Sequence, residues 1–319
     1  MDAVDFAVYR FLSPGGVARF WAGRRVIDPR ITPREVAERV GISESGVRAR
    51  LQHLSERGFL RDRTVVPNAS LFGKRVFVTD LVVKQSGEVD QILRDLSLVD
   101  GVVFVRDVLD EDERKIQVYF VADSDAAASR FSALLGRLSS GRPSAERRHY
   151  HIPPCDRGLS PLDWKVLGHL LTQPGATYAG IAGSVGISER TAARIYRQLI
   201  DSRACWWTHG PASEEFPLAL VTVNLRDAKD LDHVVGWILQ EGHPWMPVAR
   251  DGFGLDAERS ERVLAGLAPA DLPTVLERFL RGLAAAEGVV GLRRTFALGS
   301  AIYPTWFSDQ VRLHVAARP

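Results

Sequence analysis

The sequence predicts an α+β protein in which a winged helix-turn-helix unit, followed by a ferredoxin-like (βαββαβ) unit, occurs twice. Three observations lead to this prediction. A tetrapeptide is repeated, as Gly41-Ile42-Ser43-Glu44 and Gly186-Ile187-Ser188-Glu189, and a threonine precedes each copy by nine residues. Apolar residues around both copies recur at helical spacing. Each helical part is followed by segments in which apolar and polar residues alternate, as they do in strands.

Composition places the chain among ordinary globular proteins. Its 319 residues, 45% hydrophobic and 25% charged, allow two or more packed domains. No apolar run approaches the roughly 18 to 20 residues that span a bilayer, and Asp2 and Asp5 stand where a signal peptide carries positive charge. We therefore expect a cytoplasmic protein without a membrane partner. The net charge of +2 does not indicate whether the protein binds nucleic acid. That question depends on where the arginines lie in the fold.

Capping and turn residues predict the first helix-turn-helix. Thr32-Pro33 is typical of an N-cap followed by a first-turn proline, Gly41 supplies the turn, and Ser43 caps the next helix. In that helix, apolar residues at intervals of four and three are expected to face inward: Val47, Leu51 and Leu54. Alternation over Phe59–Val66 predicts a short hairpin, which completes a winged helix.

The N-terminal segment has no counterpart in the second copy. Residues 4–12 have helical spacing and end at a Ser-Pro-Gly-Gly break, and we interpret residues 13–31 as an insertion. The insertion contains Arg19, Trp21, Arg24, Arg25 and Arg30. The insertion is expected either to contact the DNA backbone through its arginines or to pack against the core through its aromatic residues.

The next stretch changes to strand-like alternation and predicts the first ferredoxin-like unit. Its elements alternate between segments rich in β-branched and aromatic residues and segments with helical stripes. In chain order they are strand Val76–Val78, helix Val89–Leu96, strands Val102–Val105 and Ile116–Phe120, helix Phe131–Leu138, and a strand around His149–Ile152.

The same cycle then begins again. Ser160-Pro161-Leu162-Asp163 has the cap, proline and acidic third position of a helix start, and the second helix-turn-helix extends to about Arg203. The later candidates are strand Leu218–Leu225, helix Leu231–Leu239, strands Met246–Arg250 and Arg262–Leu267, helix Leu272–Leu283 and strand Leu292–Ile302. We therefore predict winged helices over residues 1–70 and 156–212, and ferredoxin-like domains over residues 71–155 and 213–319.

Matching positions in the two helix-turn-helix segments indicate a duplication. All of the matches have the same offset of 145 residues. They are Thr32 and Thr177, Ala37 and Ala182, Val40 and Val185, and Leu54 and Leu199.

A winged helix followed by a βαββαβ domain resembles the leucine-responsive and asparagine-synthetase regulator (Lrp/AsnC) family, here in tandem. The residues that carry the resemblance are Val40-Gly41-Ile42-Ser43 with Val47, Arg50, Leu51, Leu54 and Gly58, then Gly186-Ile187-Ser188 with Leu199, and Gly288-Val289-Val290 before Arg293-Arg294-Thr295. That family often has a Gly-Asp turn between its second and third strands. This chain instead has Asp110-Glu111-Asp112-Glu113 in one copy and Gly252–Asp256 in the other.

The resemblance implies a transcription regulator whose winged helices bind double-stranded DNA. It also implies that the ferredoxin-like sheets pair. Because each chain is predicted to carry two units, the sheets can pair within one chain as a pseudo-dimer, and pairing between chains is the alternative. Small-molecule effectors are then expected at interfaces between the ferredoxin-like domains.

The residues predicted to face DNA differ between the copies. If the apolar residues point inward, the first recognition helix presents Ser45, Ala49 and Gln52, with Arg48 and His53 beside them, whereas the second aligns Arg190, Arg194 and Arg197. The predicted DNA-binding residues are Ser43, Ser45, Arg48, Gln52 and His53, and Ser188, Arg190, Thr191, Arg194 and Arg197. Because arginine can donate two hydrogen bonds to phosphate or guanine, we expect stronger binding by the second copy. The alternative is a solvated helix face.

Catalytic and metal-binding functions have weaker support in the sequence. His149 and His151 share one face of a strand and Cys155 follows, but no fourth ligand lies nearby, so we expect no metal. Cys155 and Cys205 do not form a Cys-x-x-Cys pair. No nucleophile elbow, Walker loop or GxGxxG motif occurs, and we therefore expect neither an enzyme nor a cofactor.

Two alternative functions remain. The same domain pair resembles the sirohaem decarboxylases, an enzyme class expected to use His and Arg in a tetrapyrrole pocket. The candidates for such a pocket are His233, His243 and Trp245. The other alternative is an interaction protein whose first winged helix no longer binds DNA.

Overall fold

The computed structural model describes residues 32–56, 63–84, 86–110, 113–138, 142–150, 154–209, 218–230, 262–267 and 272–316, with residues 4, 8, 152, 233, 234, 237, 248 and 249. The predicted N-terminal helix, except for Val4 and Val8, and the insertion of residues 13–31 lie outside this part. Of the helices in these ranges, none is both long enough and apolar enough to cross a bilayer.

The first helix-turn-helix consists of α1 (Pro33–Val40) and α2 (Glu44–Glu56), and strand β1 (Arg63–Pro67) follows. The Thr32 hydroxyl accepts a hydrogen bond from the Glu35 amide, and the Glu35 carboxylate accepts one from the Thr32 amide. This reciprocal cap satisfies two backbone donors that the helix leaves unpaired. The chain turns after α1 at a glycine with φ of 74°, a conformation that side chains other than glycine rarely adopt.

The first ferredoxin-like unit follows, as predicted. Its elements are β2 (Arg75–Val82), α3 (Val89–Ser97), β3 (Val102–Asp110), β4 (Glu113–Ala122), α4 (Asp125–Leu138) and β5 (Arg142–Tyr150). The strands are antiparallel in the order β5-β2-β4-β3. Alternate strand residues pack with the helices to form the core, which includes Phe77, Leu81, Ile92, Leu96, Ile116, Phe120 and Leu135.

Strand β5 is longer than its sequence indicates. We predicted a strand around His149–Ile152, but β5 begins at Arg142 and ends at Tyr150. It pairs with β2 from Tyr150 opposite Val76 to Arg142 opposite Val82, with a register shift between Thr79 and Leu81. Because residues 142–148 are mostly polar, they lack the hydrophobic alternation that predicts a strand. Their hydrogen bonds to β2 define the strand instead.

The second helix-turn-helix contains α5 (Pro161–Thr172), α6 (Tyr178–Val185) and α7 (Glu189–Asp201), followed by strand β6 (Cys205–His209). It has the same local chemistry as the first. A serine–aspartate capping box begins α5, and a glycine with φ of 76° separates α6 from α7. The core of this unit is a cluster of buried side chains that includes Trp164, Leu167, Leu170, Ile181, Ile195, Tyr196, Leu199 and Trp207.

The second ferredoxin-like unit contains β7 (Leu218–Leu225), β8 (Val248–Ala249), β9 (Arg262–Leu267), α8 (Leu272–Ala284) and β10 (Val289–Ile302). Its strand order, β10-β7-β9-β8, is equivalent to that of the first unit. The predicted helix Leu231–Leu239 is described only at residues 233, 234 and 237, which are helical. The duplication and the domain boundaries stay predictions, because equivalent strand orders also occur in unrelated proteins.

The two sheets join through β3 and β10 into one eight-stranded sheet. The first part of β10 pairs with β7, and its last part pairs with β3, from Thr295 opposite Asp110 to Ile302 opposite Phe104. At this junction the Arg293 Nε–H donates to Asp110 Oδ1 at 3.0 Å. The Lys115 Nζ lies 3.3 Å from the same carboxylate.

The hairpin that we predicted over Phe59–Val66 is described only in part, at strand β1. Its described residues, Arg63–Pro67, pair antiparallel with β6 of the second unit, and Val65 is buried in the core of that unit. The Asn68 amide and side chain donate to the carbonyls of Ala204 and Arg203 at 2.8 and 2.9 Å. Partners in a distant segment thus satisfy backbone groups of β1 and of the residue after it.

A final helix, α9 (Thr305–Ala316), was not predicted. Trp306 and Phe307 pack on the face of the first sheet opposite α3 and α4. Further along the helix, the His314 ring stacks on Trp164 of α5, with centroids 4.4 Å apart and an interplanar angle of 10°. Helix α9 therefore packs between the first sheet and the second helix-turn-helix.

Candidate nucleic-acid interface

The start of helix α7 is fixed by a hydroxyl cap. The Thr191 amide donates to the Ser188 Oγ at 3.2 Å, and the two hydroxyl oxygens lie 2.8 Å apart. Both residues were predicted to contact DNA. They lie at the N-terminal end of the recognition helix, which is the end that meets base edges in helix-turn-helix proteins.

The buried face of α7 has the phase that its sequence predicts. Ala192, Tyr196 and Leu199 are fully buried. Ile195 and Ile200 widen the same face, and the ring of Tyr196 lies 5.1 Å from that of Trp207. This packing fixes the rotation of α7 about its axis and leaves the opposite stripe open to solvent.

Arg190, Arg194 and Arg197 occupy that open stripe, and all three are exposed. The Arg194 Nη1 donates to Gln198 Oε1 at 2.9 Å, so a neutral side chain holds this guanidinium. Within the described ranges, no acidic side chain pairs with Arg190 or Arg197. The second recognition helix thus presents three guanidiniums, and none of their charges is neutralised by a described neighbour.

The corresponding face of α2 has different chemistry. Val47 and Leu54 are buried and Leu51 is partly buried, and the predicted residues Ser45, Arg48, Gln52 and His53 are exposed. The Arg48 Nη2 lies 2.6 Å from Glu44 Oε1, and the Gln52 Nε2 donates to Glu56 Oε1 at 2.8 Å. The Ser43 Oγ caps the helix at the Gly46 amide and lies 3.1 Å from the Ser45 Oγ. The carboxylates of Glu44 and Glu56 therefore already bind the side chains of Arg48 and Gln52.

The difference between the two helices is electrostatic. An exposed ion pair such as Arg48–Glu44 contributes only about 0.2–1 kcal/mol, so Arg48 can leave Glu44 at little cost. Both helices carry a glutamate in the first turn, Glu44 on α2 and Glu189 on α7. Glu44 pairs with Arg48, whereas no ion pair among the described residues joins Glu189 to the arginines of α7, so the helices differ in how many unpaired arginines they present.

The described residues among those considered for metal binding do not come together as a site. No group of three or more His, Cys, Asp or Glu suited to a metal occurs among the described residues. His149 packs against Phe77 with ring centroids 5.4 Å apart, and the Cys155 thiol donates to the Arg157 carbonyl at 3.1 Å. His151 lies outside the described ranges. Burial, with a smaller effect of Cys155, raises the pKa of the Cys205 thiol, which makes it unreactive.

The residues considered for a tetrapyrrole pocket are only partly described. His233 is exposed, and its neighbour Val234 is buried. His243 and Trp245 lie outside the described ranges.

The acidic turn of the first ferredoxin-like unit has a structural partner. Burial acts to raise the pKa of Asp110, but the hydrogen bonds and charges of Arg293 and Lys115 outweigh it and hold the pKa below its usual value. The carboxylate that stands near the family's Gly-Asp turn therefore joins the two halves of the sheet.

A sequence family and several solved structures are similar to parts of this chain. The winged helix-turn-helix DNA-binding family matches residues 28–61, which include α1 and α2. No curated protein matches the sequence. The siroheme decarboxylase NirDL in complex with an iron-uroporphyrin III analogue is similar at 10% identity and a TM-score of 0.50, over 89% of this chain and 93% of that one.

Two further structures have lower TM-scores. Another structure of siroheme decarboxylase NirDL covers 99% of both chains at 10% identity and a TM-score of 0.49. An AsnC family transcriptional regulator from Agrobacterium tumefaciens covers 51% of this chain and 99% of its own, at 20% identity and a TM-score of 0.33.

These comparisons correct one expectation. We expected no enzyme because the sequence lacks the common catalytic motifs. The NirDL match contradicts that expectation, since an enzyme has this fold over 93% of its own length. At 10% identity the match establishes the fold. The missing motifs do not exclude an enzyme, because this architecture requires neither a nucleotide-binding loop nor a nucleophile turn.

Proposed function

We propose that the chain is a sequence-specific DNA-binding transcription regulator of the Lrp/AsnC type, in which α7 makes the dominant contacts. The observation that carries this proposal is the exposed stripe of Arg190, Arg194 and Arg197 on the recognition helix of a helix-turn-helix. Such a helix enters the major groove, where the planar guanidinium can bind guanine O6 and N7 or a phosphate. The family match of the first unit also supports DNA binding.

The assembly part of the proposal is that one chain acts as a pseudo-dimer. The β1–β6 and β3–β10 pairings support it, because each joins an element of the first half to one of the second half. A small-molecule effector would then act at the interface between the ferredoxin-like units. Asp110 is not proposed as its ligand, because Arg293 and Lys115 already engage that carboxylate.

The second candidate function is tetrapyrrole chemistry of the siroheme decarboxylase kind. The fold similarity over 89% of the chain favours it, although 10% identity carries no residue-level argument. Titration of the full chain with iron-uroporphyrin III tests this candidate. A saturable shift of the Soret band would support it, and an unchanged absorption spectrum would count against it.

The DNA-binding proposal predicts that combined Arg190→Ala, Arg194→Ala and Arg197→Ala substitutions weaken binding to a selected genomic duplex by at least roughly 100-fold, since each good arginine contact contributes about 1–3 kcal/mol and every 1.4 kcal/mol or so is tenfold. Fluorescence anisotropy at several salt concentrations measures the loss. The slope of log affinity against log salt should also fall by about one for each phosphate contact removed. The Arg48→Ala, Gln52→Ala variant should lose less, because Glu44 and Glu56 already engage those groups.

A matched control removes the same charge elsewhere. Arg130, Arg278 and Arg312 are exposed on α4, α8 and α9, outside both helix-turn-helix segments. Their replacement by alanine should leave the affinity within about two-fold, apart from a small general electrostatic effect. Equal losses in the two triple variants would contradict a recognition role for α7. A wild-type chain that binds no genomic duplex better than scrambled DNA would refute the regulator itself.

A further inference from the structure

The pairing of β1 with β6 has the symmetry of a dimer contact. Arg63 lies opposite His209, and Thr64 lies opposite Thr208. At the offset of 145 residues that relates the two helix-turn-helix sequences, Thr208 and His209 are the counterparts of Arg63 and Thr64. Exchange of the two units therefore maps each of these pairs onto the other, so the contact is isologous and has a local pseudo-two-fold axis.

This pseudo-symmetric contact is firmly held. Val65 is 1% exposed, within the core of the second helix-turn-helix, and both hydrogen bonds from Asn68 cross to the second unit. Helices α2 and α7 each precede one of the paired strands. The strand contact thus has the symmetry of one that joins the units of a symmetric dimer, and such a dimer binds two half-sites in inverted orientation.

The faces that these helices present are nevertheless unequal. Arg190, Arg194 and Arg197 correspond at the same offset to Ser45, Ala49 and Gln52. All six residues are exposed. Three guanidiniums on one helix therefore replace a hydroxyl, a methyl group and an amide on the other. Of these six side chains, the arginines are the ones suited to bidentate contact with guanine.

We infer that one chain binds an asymmetric DNA site made of two inverted half-sites. The half-site under α7 contains guanine and is read stringently. The half-site under α2 tolerates many sequences, and the contacts of α2 mainly position the protein on the duplex. This inference rests on the proposed DNA-binding function and adds the arrangement and the chemistry of the target.

The experiment selects bound duplexes of about 30 base pairs from a random library, a length that holds two half-sites about one or two helical turns apart. The wild-type chain should enrich a site with one constrained, guanine-containing half and one weakly constrained, inverted half. Native mass spectrometry of the complex should give one chain per duplex. Two equally constrained halves, or two chains per duplex, would overturn the inference.

A gain-of-contact variant tests which helix reads which half. The Ser45→Arg, Ala49→Arg, Gln52→Arg chain should prefer a duplex with two inverted copies of the guanine-containing half over the wild-type site, with the preference ratio shifted at least about 10-fold. A control with Ala126→Arg, Ala284→Arg and Ala285→Arg adds the same charge at exposed positions outside both recognition helices and should leave the ratio unchanged. An unchanged ratio in the α2 variant would refute the inference.

The outcomes separate this inference from the proposed function. If the wild-type chain enriches no sequence, both fail together. If it enriches a symmetric palindrome, the DNA-binding function stands and the asymmetric site is refuted.

Discussion

Replacement of Tyr196 by alanine is expected to lower the free energy of unfolding by about 3–5 kcal/mol, the usual cost of removing a buried aromatic ring. Tyr196 is fully buried on the inner face of α7. Its ring lies 5.6 Å from that of Tyr178 and 5.1 Å from that of Trp207, so the substitution leaves a cavity between two helices and a strand. Urea denaturation followed by circular dichroism measures the loss.

The effect should extend beyond the second helix-turn-helix. Trp207 pairs with Val65 of β1, so a loosened core should also loosen the contact between the units. Hydrogen exchange of the β1 amides measures this coupling. Tyr178→Ala is the matched control: it removes the same kind of ring from a partly exposed position and should cost about 1 kcal/mol. Similar losses in the two variants would show that Tyr196 is not central to the packing of this core.

Replacement of Asp110 by asparagine is expected to lower the free energy of unfolding by about 2–4 kcal/mol near neutral pH. The Asp110 side chain is 7% exposed and accepts from Arg293 and Lys115, and the substitution leaves those two charges without their carboxylate. The Arg293 side chain is 49% exposed, so water compensates part of the loss. Chemical denaturation at pH 7 measures the difference.

This difference should depend on pH in a defined direction. The pKa of Asp110 is lowered in the folded protein, although burial opposes the effect of its cationic neighbours. Its contribution is therefore complete above the unfolded-state pKa of about 3.9 and is lost as the pH falls through the folded-state pKa. The gap between wild type and Asp110→Asn should stay constant from about pH 7 to 5 and narrow below about pH 4.

Glu113→Gln provides the control for Asp110. Glu113 pairs with the same lysine at 2.9 Å, but its side chain is 49% exposed, so its loss should cost less than about 1 kcal/mol. If Asp110→Asn were as mild as Glu113→Gln, or if its effect grew as the pH fell below 4, the junction would not depend on a buried carboxylate.

The candidate interface could be predicted from sequence where it depends on helix geometry. The period of 3.6 residues places Arg190, Arg194 and Arg197 on one stripe once the apolar residues face inward. The pairs Arg48–Glu44 and Gln52–Glu56 were also within reach of sequence reasoning, because residues four apart are neighbours on a helix. The helix dipole accounts for an acid in the first turn but does not reveal that Glu44 holds Arg48.

The amino-acid sequence by itself determined the local structure of this protein. Threonine and serine caps, glycines with positive φ and the change from helical to alternating periodicity act within a few residues, so they specify both helix-turn-helix segments and most strands.

Only the tertiary structure decided how the two halves meet. The β1–β6 and β3–β10 pairings, the Asp110–Arg293 contact across 183 positions and the packing of α9 join segments that are far apart in the chain. Backbone groups of a strand edge, and exposed charges, can pair with many partners. The residues of a strand therefore do not predict which other strand it will pair with. The fold makes that choice because it brings particular segments within hydrogen-bonding distance.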